Sequence, residues 1–237
     1  MKSFIHFGLA GLALAVANPA HSVESPPTPS NASALYVSGD SLVIRNTALI
    51  HQTVDEVIEK LDASPSIHKL WLIDVPGGFS IPGARLAWRA QELDVIVGGG
   101  CYSACADVAL AARSLRISPR QGRMTAAIVV HGTFGMDGTW SSSGLHDLAR
   151  YAARLDPIKQ ADIEEALRYP YPVAAGLFIL TDGTVPQAQG RTTLLCSHFP
   201  RKCRDLNVTL DQLHISITDE TVPTPPPQGA SGHAGHD

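Results

Sequence analysis

The chain has 237 residues and a formal net charge of -4, with 18 Lys plus Arg against 22 Asp plus Glu. That length supports one substantial core or two small ones, and the mild acidity argues against nucleic acid as a partner. Charged residues make up only 17% and apolar ones 44%, so most of the chain should fold, and past residue 20 no run approaches the ~20 apolar residues of a membrane span.

Lys2 is followed by an almost unbroken apolar stretch from Phe4 to Ala17, with small residues at 15, 17 and 20. This reads as a secretory signal peptide over residues 1–20, cleaved between Ala17 and Ser22. Residues 21–33 contain Ser25-Pro26-Pro27-Thr28-Pro29-Ser30-Asn31, an extended linker that cannot donate a full set of backbone hydrogen bonds. Export favours two disulfides for the four cysteines. Cys196 and Cys203 enclose a short loop with Pro200 and pair readily. Cys101 and Cys105 bridge only across a tight strand-to-helix turn; the alternative is two buried thiols.

The folded part is expected over 34–221. Leu35–Val37 and Leu42–Ile44 read as strands around Ser38-Gly39-Asp40. Thr53 with Glu56 forms a capping box ahead of Val54, Val57, Ile58 and Leu61 on one helical face, which completes a β-β-α unit. Leu70–Ile73 follows as a strand, Val75-Pro76-Gly77-Gly78 as a turn and 83–91 as a helix. The rhythm repeats with Val95–Val97, a turn at Gly98-Gly99-Gly100 and a helix over 103–112, then strands at 114–117 and 126–130. Arg113, Arg116, Arg120 and Arg123 read as a solvated strand edge.

From Gly132 to Gly144 the composition is that of a loop. Leu145 to Leu155 has helical spacing, and Asp156-Pro157 restarts a helix that ends at Pro170. Strands at 177–180 and 192–195 complete an α/β domain with considerable parallel pairing. Residues 222–237, rich in Pro and then in Gly, Ala and His, are expected to be a disordered tail. Its His233 and His236 make a poor metal site.

Glycines concentrate where a strand's C-terminal end meets a helix, at 77–78 and 98–100, the edge on which α/β sheets place their sites. Gly77 and Gly78 can turn backbone N–H groups into a cleft and hold an oxyanion. Ser103 follows the glycine run at a helix start, where alone it would read as an N-cap. His131 ends the strand 126–130 on the same kind of edge, within reach of a nucleophile as general base. The ordered set carries more than any member.

On these residues the chain resembles the proteolytic subunit of Clp protease and its exported bacterial relatives, with the fold shared by crotonases. The matching pieces are Gly39, Asp74-Val75-Pro76-Gly77-Gly78 with Gly83, Cys101-Tyr102-Ser103-Ala104-Cys105 ahead of an Ala-rich helix, and His131; the resemblance runs from Leu35 to Leu195. It implies a single domain of ClpP/crotonase-like repeated β-β-α units. It also implies Ser103 as nucleophile, His131 as base, and the N–H groups of Gly78 and Ala104 as oxyanion hole.

The family's aspartate has no match, since Val173-Ala174-Ala175-Gly176 stands in its place; Asp182 is the nearest acid and is taken as the third catalytic candidate. A serine–lysine pair, as in related signal peptide peptidases, would have to use Lys159, which reads as solvated. Crotonase chemistry needs a nucleotide-bearing thioester, which is not expected outside the cytoplasm. The expectation is therefore an exported serine hydrolase, a periplasmic or secreted peptidase acting on a peptide or other acyl substrate. It needs no cofactor, metal or ATPase partner, and by the resemblance Leu145–Arg168 would either serve a homo-oligomer or pack within one subunit. The alternative is a catalytically inactive binding or assembly protein of the cell envelope.

Overall fold

The consecutive apolar residues Leu70 to Ile73 lie in a central strand that is buried on both faces. The computed structural model describes residues 34–122, 127–134, 139–141, 152–169, 175–181 and 192–227, all within the unit Ala32–Asp237. The signal peptide and linker expected over 1–33 lie outside the described residues. In chain order the elements are β1 (Ala34–Ser38), β2 (Ser41–Arg45), α1 (His51–Ala63), β3 (Lys69–Val75), α2 (Ser80–Ala90), β4 (Asp94–Tyr102), α3 (Ala104–Leu110), β5 (Ser114–Ser118), β6 (Ala127–Val130) and the small pair β7 (Thr133–Phe134) and β8 (Trp140–Ser141). Then come α4 (Ala152–Leu155), α5 (Gln160–Ala166), β9 (Gly176–Leu180), β10 (Thr193–His198), β11 (Lys202–Asp205) and β12 (Ile215–Ile217). This is the expected α/β class, with one β-β-α unit followed by β-α steps.

Strands β2, β3, β4 and β6 run parallel and side by side. β5 pairs with the first half of β4 and β6 with its last three residues, so β4 changes partner midway. β9, β10 and β11 extend the sheet antiparallel. The period of two assigns the faces. Leu42, Ile44, Leu70, Leu72, Val95 and Val97 pack in one core with Val54, Val57 and Leu61 of α1 and Leu86 and Ala90 of α2. Val43, Trp71, Ile73 and Ile96 form a separate cluster on the opposite face. A sheet covered on both sides has no polar face, which is why these strands read as unbroken apolar runs.

Several boundaries differ from expectation. Helix α1 starts at His51 after Ile50, with no side-chain cap, and Thr53 is buried inside its first turn. The entry is set by backbone instead: Leu49 N–H donates to Gly77 O at 2.7 Å and Phe79 N–H donates to Leu49 O at 3.1 Å. Gly98-Gly99-Gly100 is not a turn but part of β4. The glycines are needed there because the chain passes against a buried carboxylate; a Cβ on Gly99, at φ +68°, would lie 1.9 Å from Asp74 Oδ1. Asp156-Pro157 does not start a helix: α5 begins at Gln160 after Lys159, and Ile158 N–H closes a turn onto Leu155 O. Most of the helix expected over 145–155 lies outside the described residues.

The second face is closed by the C-terminal segment. β12 pairs parallel with β5; Ser118 Oγ then donates to Glu220 O at 3.1 Å and Tyr36 Oη to Pro223 O at 2.7 Å. Val222, expected to begin the tail, packs on the Val43–Trp71–Ile96 cluster. The basic run helps hold this strap, since Arg116 and Lys69 both pair with Glu220 and Arg120 pairs with Asp219. Truncation after Ile217 is expected to lower the unfolding free energy by about 2 kcal/mol in a urea titration of oxidised protein, because it uncovers Trp71 and Ile96. An unchanged midpoint would show that the strap contributes nothing.

Candidate functional site

Three parallel strands deliver three segments to one edge of the sheet. Register pairs Val75 of β3 with Cys101 of β4 and Tyr102 of β4 with Val129 of β6. Two residues beyond Val75, Cys101 and Val129 lie Gly77, Ser103 and His131. The proximity of the first two is tight: a Cβ on Gly77, at φ +98°, would come within 2.6 Å of Tyr102 O and 3.0 Å of Ser103 Cβ. Leu49 bonds to the residues on either side of Gly78, a parallel-bridge pattern that turns Gly78's own N–H away from Leu49.

Ser103 is the turn between β4 and α3 and adopts φ 54°, ψ -123°. A residue with a Cβ rarely takes this conformation, and it costs on the order of 1–3 kcal/mol where it persists. The surroundings hold it on both sides. Ser103 N–H donates to Val129 O at 3.0 Å, and Ser103 O accepts from Asp107 N–H at 3.2 Å. Cys101 and Cys105, both fully buried, form a disulfide across the turn with Cα atoms 5.2 Å apart. The second bridge, Cys196–Cys203, links directly opposed residues of β10 and β11. Ala104 opens α3, so its N–H is among those with no intrahelical partner. Gly83 allows α2 to approach it, since a Cβ there would lie 2.7 Å from Ala104 Cβ.

Ser103, Ala104 and His131 line one small cleft with Ser80, Asp107, Thr133 and Leu167. His131 is 8% exposed, and its Nδ1 lies 2.8 Å from Gly132 O. Burial pushes its pKa below the ordinary imidazole value, while the bond to the Gly132 carbonyl works in the opposite direction. The imidazole is therefore neutral at neutral pH, the state a general base requires. Asp107 escaped the sequence reading, although its spacing of four from Ser103, in the helix expected over 103–112, was a usable signal. Asp182 lies outside the described residues. Lys159 is exposed at the start of α5 and does not line the cleft.

No family model matches the chain, and no curated protein matches it in sequence. Among solved structures it is similar to a mutant of ClpP1 from Listeria monocytogenes, with 13% identity over 77% of this chain and 92% of that one and a TM-score of 0.47. It is also similar to the ClpP protease catalytic domain from Plasmodium falciparum, with 14% identity over 77% and 88% and a TM-score of 0.44. A third is methylmalonyl CoA decarboxylase complexed with 2S-carboxypropyl CoA, with 12% identity over 52% of this chain and a TM-score of 0.35; the chain spans 57% of that enzyme's length. These are likenesses of chain path at low identity, and the chemistry below rests on this chain's own residues.

The depressed pKa of His131 fixes the sign of a stability effect. As pH falls, the unfolded chain takes up this proton first, at about 6.5, so stability present above that pH is lost as the pH drops toward the folded-state value. Asp107 lines the same cleft. Urea titrations between pH 7.5 and 5 should show wild type losing stability relative to His131→Gln. Equal slopes would mean that His131 is not held neutral by burial.

Proposed function

We propose that the protein is a serine hydrolase, acting on a peptide or another acyl substrate, with Ser103 as nucleophile and His131 as general base. The observation that carries this reading is the backbone of Ser103. A strained turn between strand and helix is the arrangement that projects a nucleophilic hydroxyl from a sheet edge, and here it lies beside a glycine pair and shares a cleft with a neutral histidine.

In the proposed reaction His131 Nε2 accepts the proton as Ser103 Oγ bonds to the substrate's carbonyl carbon. The carbonyl oxygen becomes an oxyanion that accepts hydrogen bonds from Gly78 and Ala104 N–H. Collapse breaks the bond to the leaving group, which takes the proton from His131, and water then releases the acyl group by the same steps. Losing one oxyanion donor in such a site costs about 2.7–4 kcal/mol of barrier, so the position of Gly78 matters as much as the serine. The two disulfides support an oxidising compartment outside the cytoplasm.

One observation favours the second reading, a binding or assembly protein that keeps the cleft without turnover. As bounded by the described residues, the cleft holds about 10 Å³, the space of a single water. A hydrolase must widen it to admit an acyl group.

Labelling with a fluorophosphonate separates the two readings. Wild type should gain one adduct by intact mass, and Ser103→Ala and His131→Ala should abolish it. No adduct on folded, fully oxidised protein would select the binding reading. The double variant Cys101→Ala/Cys105→Ala frees the turn, and its labelling rate is expected to fall about tenfold or more, since sub-ångström misplacement is enough for that. An unchanged rate would make the bridge irrelevant to the site.

A further inference from the structure

Attack by a serine hydroxyl requires the imidazole to offer a lone pair on one nitrogen and carry its proton on the other, and the hydrogen bond made by that second nitrogen decides the tautomer. For His131 Nδ1 the partner among the described residues is main chain: it lies 2.8 Å from Gly132 O. A carbonyl only accepts, so this bond exists only with the proton on Nδ1, which leaves the lone pair on Nε2. We infer that the backbone carbonyl of Gly132 sets the tautomer of His131.

The carbonyl is held from two sides. A Cβ on Gly132 would lie 1.9 Å from Leu167 O and 3.0 Å from a ring carbon of Phe134, so only glycine lets the chain pass so close to the end of α5. Leu167 N–H donates to Ile163 O at 3.1 Å, which fixes that end. From β9, Gly176 at φ +139° closes on the same segment, since a Cβ there would meet Val130 O at 2.5 Å and His131 Cβ at 3.4 Å. β6 and β9 are paired at Val130 and Leu177. The orientation of the imidazole is thus set by main-chain packing, with Gly132 as a positioning residue rather than a catalytic one. Its effect on rate rests on the hydrolase reading; the tautomer itself is a property of the resting protein.

The test is long-range ¹H–¹⁵N correlation NMR of the oxidised protein at pH 7.5, with His131 assigned by loss of its signals in His131→Gln. The expected result is a protonated Nδ1 and an unprotonated Nε2 in wild type. Gly132→Ala should lose this preference and label with fluorophosphonate at least tenfold more slowly, while Asp107→Asn, on the same cleft, should retain it. A proton on Nε2 in wild type overturns the inference. So does an Asp107→Asn that loses the proton on Nδ1, which would assign the role to that carboxylate; a folded Gly132→Ala that keeps its proton on Nδ1 would overturn the need for glycine at 132. Wild type and Asp107→Asn decide the matter even if Gly132→Ala does not fold. A protein with the proton on Nδ1 that never labels would defeat the hydrolase reading and leave this inference standing.

Discussion

Ser103 sits at φ 54°, ψ -123°, a conformation the chain adopts only under constraint, and the geometry of the site depends on that constraint. In a relaxed extended strand, residue 103 would continue β4 along the sheet. The turn instead lifts it off the edge and starts α3 at Ala104. Strand pairing to β6, the bond to Val129 O, the first turn of α3 and the Cys101–Cys105 bridge all act on the segment around Ser103. Together they share the cost of holding that conformation.

The same economy explains the central glycines. β4 must leave β5 and take up β6 within one residue, and at that point the buried Asp74 carboxylate accepts from Gly100 N–H at 3.2 Å. Asp74 is itself at φ 50°, and the register between β3 and β4 shifts there. The shift advances β4 by one residue relative to β3. That brings Ser103 level with Gly77, the position the proposed oxyanion site needs. Asp74 is thus a structural carboxylate whose effect reaches the cleft through backbone register.

Much of this was readable from residue types. Apolar runs marked the central strands, paired glycines marked strand ends, and the order of Gly78, Ser103 and His131 marked a common edge. What escaped has a shared cause: it is carried by backbone atoms or by partners distant in sequence. Gly132's carbonyl has no side-chain signature. The role of Gly98-Gly99-Gly100 depends on Asp74, some 25 residues earlier, so the run read as a turn. Helix α1 begins where Leu49 bridges Gly78, and a capping box cannot report that. The strap over the second face is proline-rich and holds through scattered contacts at Tyr36, Ser118, Glu220 and Val222, too irregular for any periodicity.

The central claim is that residue 103 is held in a conformation unfavourable to a side chain so that a hydroxyl can be presented. Comparing the unfolding free energies of Ser103→Gly and Ser103→Ala in oxidised protein tests it most directly. Both variants lack the hydroxyl, but only glycine relaxes at positive φ. In an unstrained position glycine is the less stable of the two, because its unfolded chain has more freedom to lose. The account predicts the reverse order, with Ser103→Gly more stable than Ser103→Ala by about 1 kcal/mol or more. Alanine equal to or more stable than glycine would contradict it.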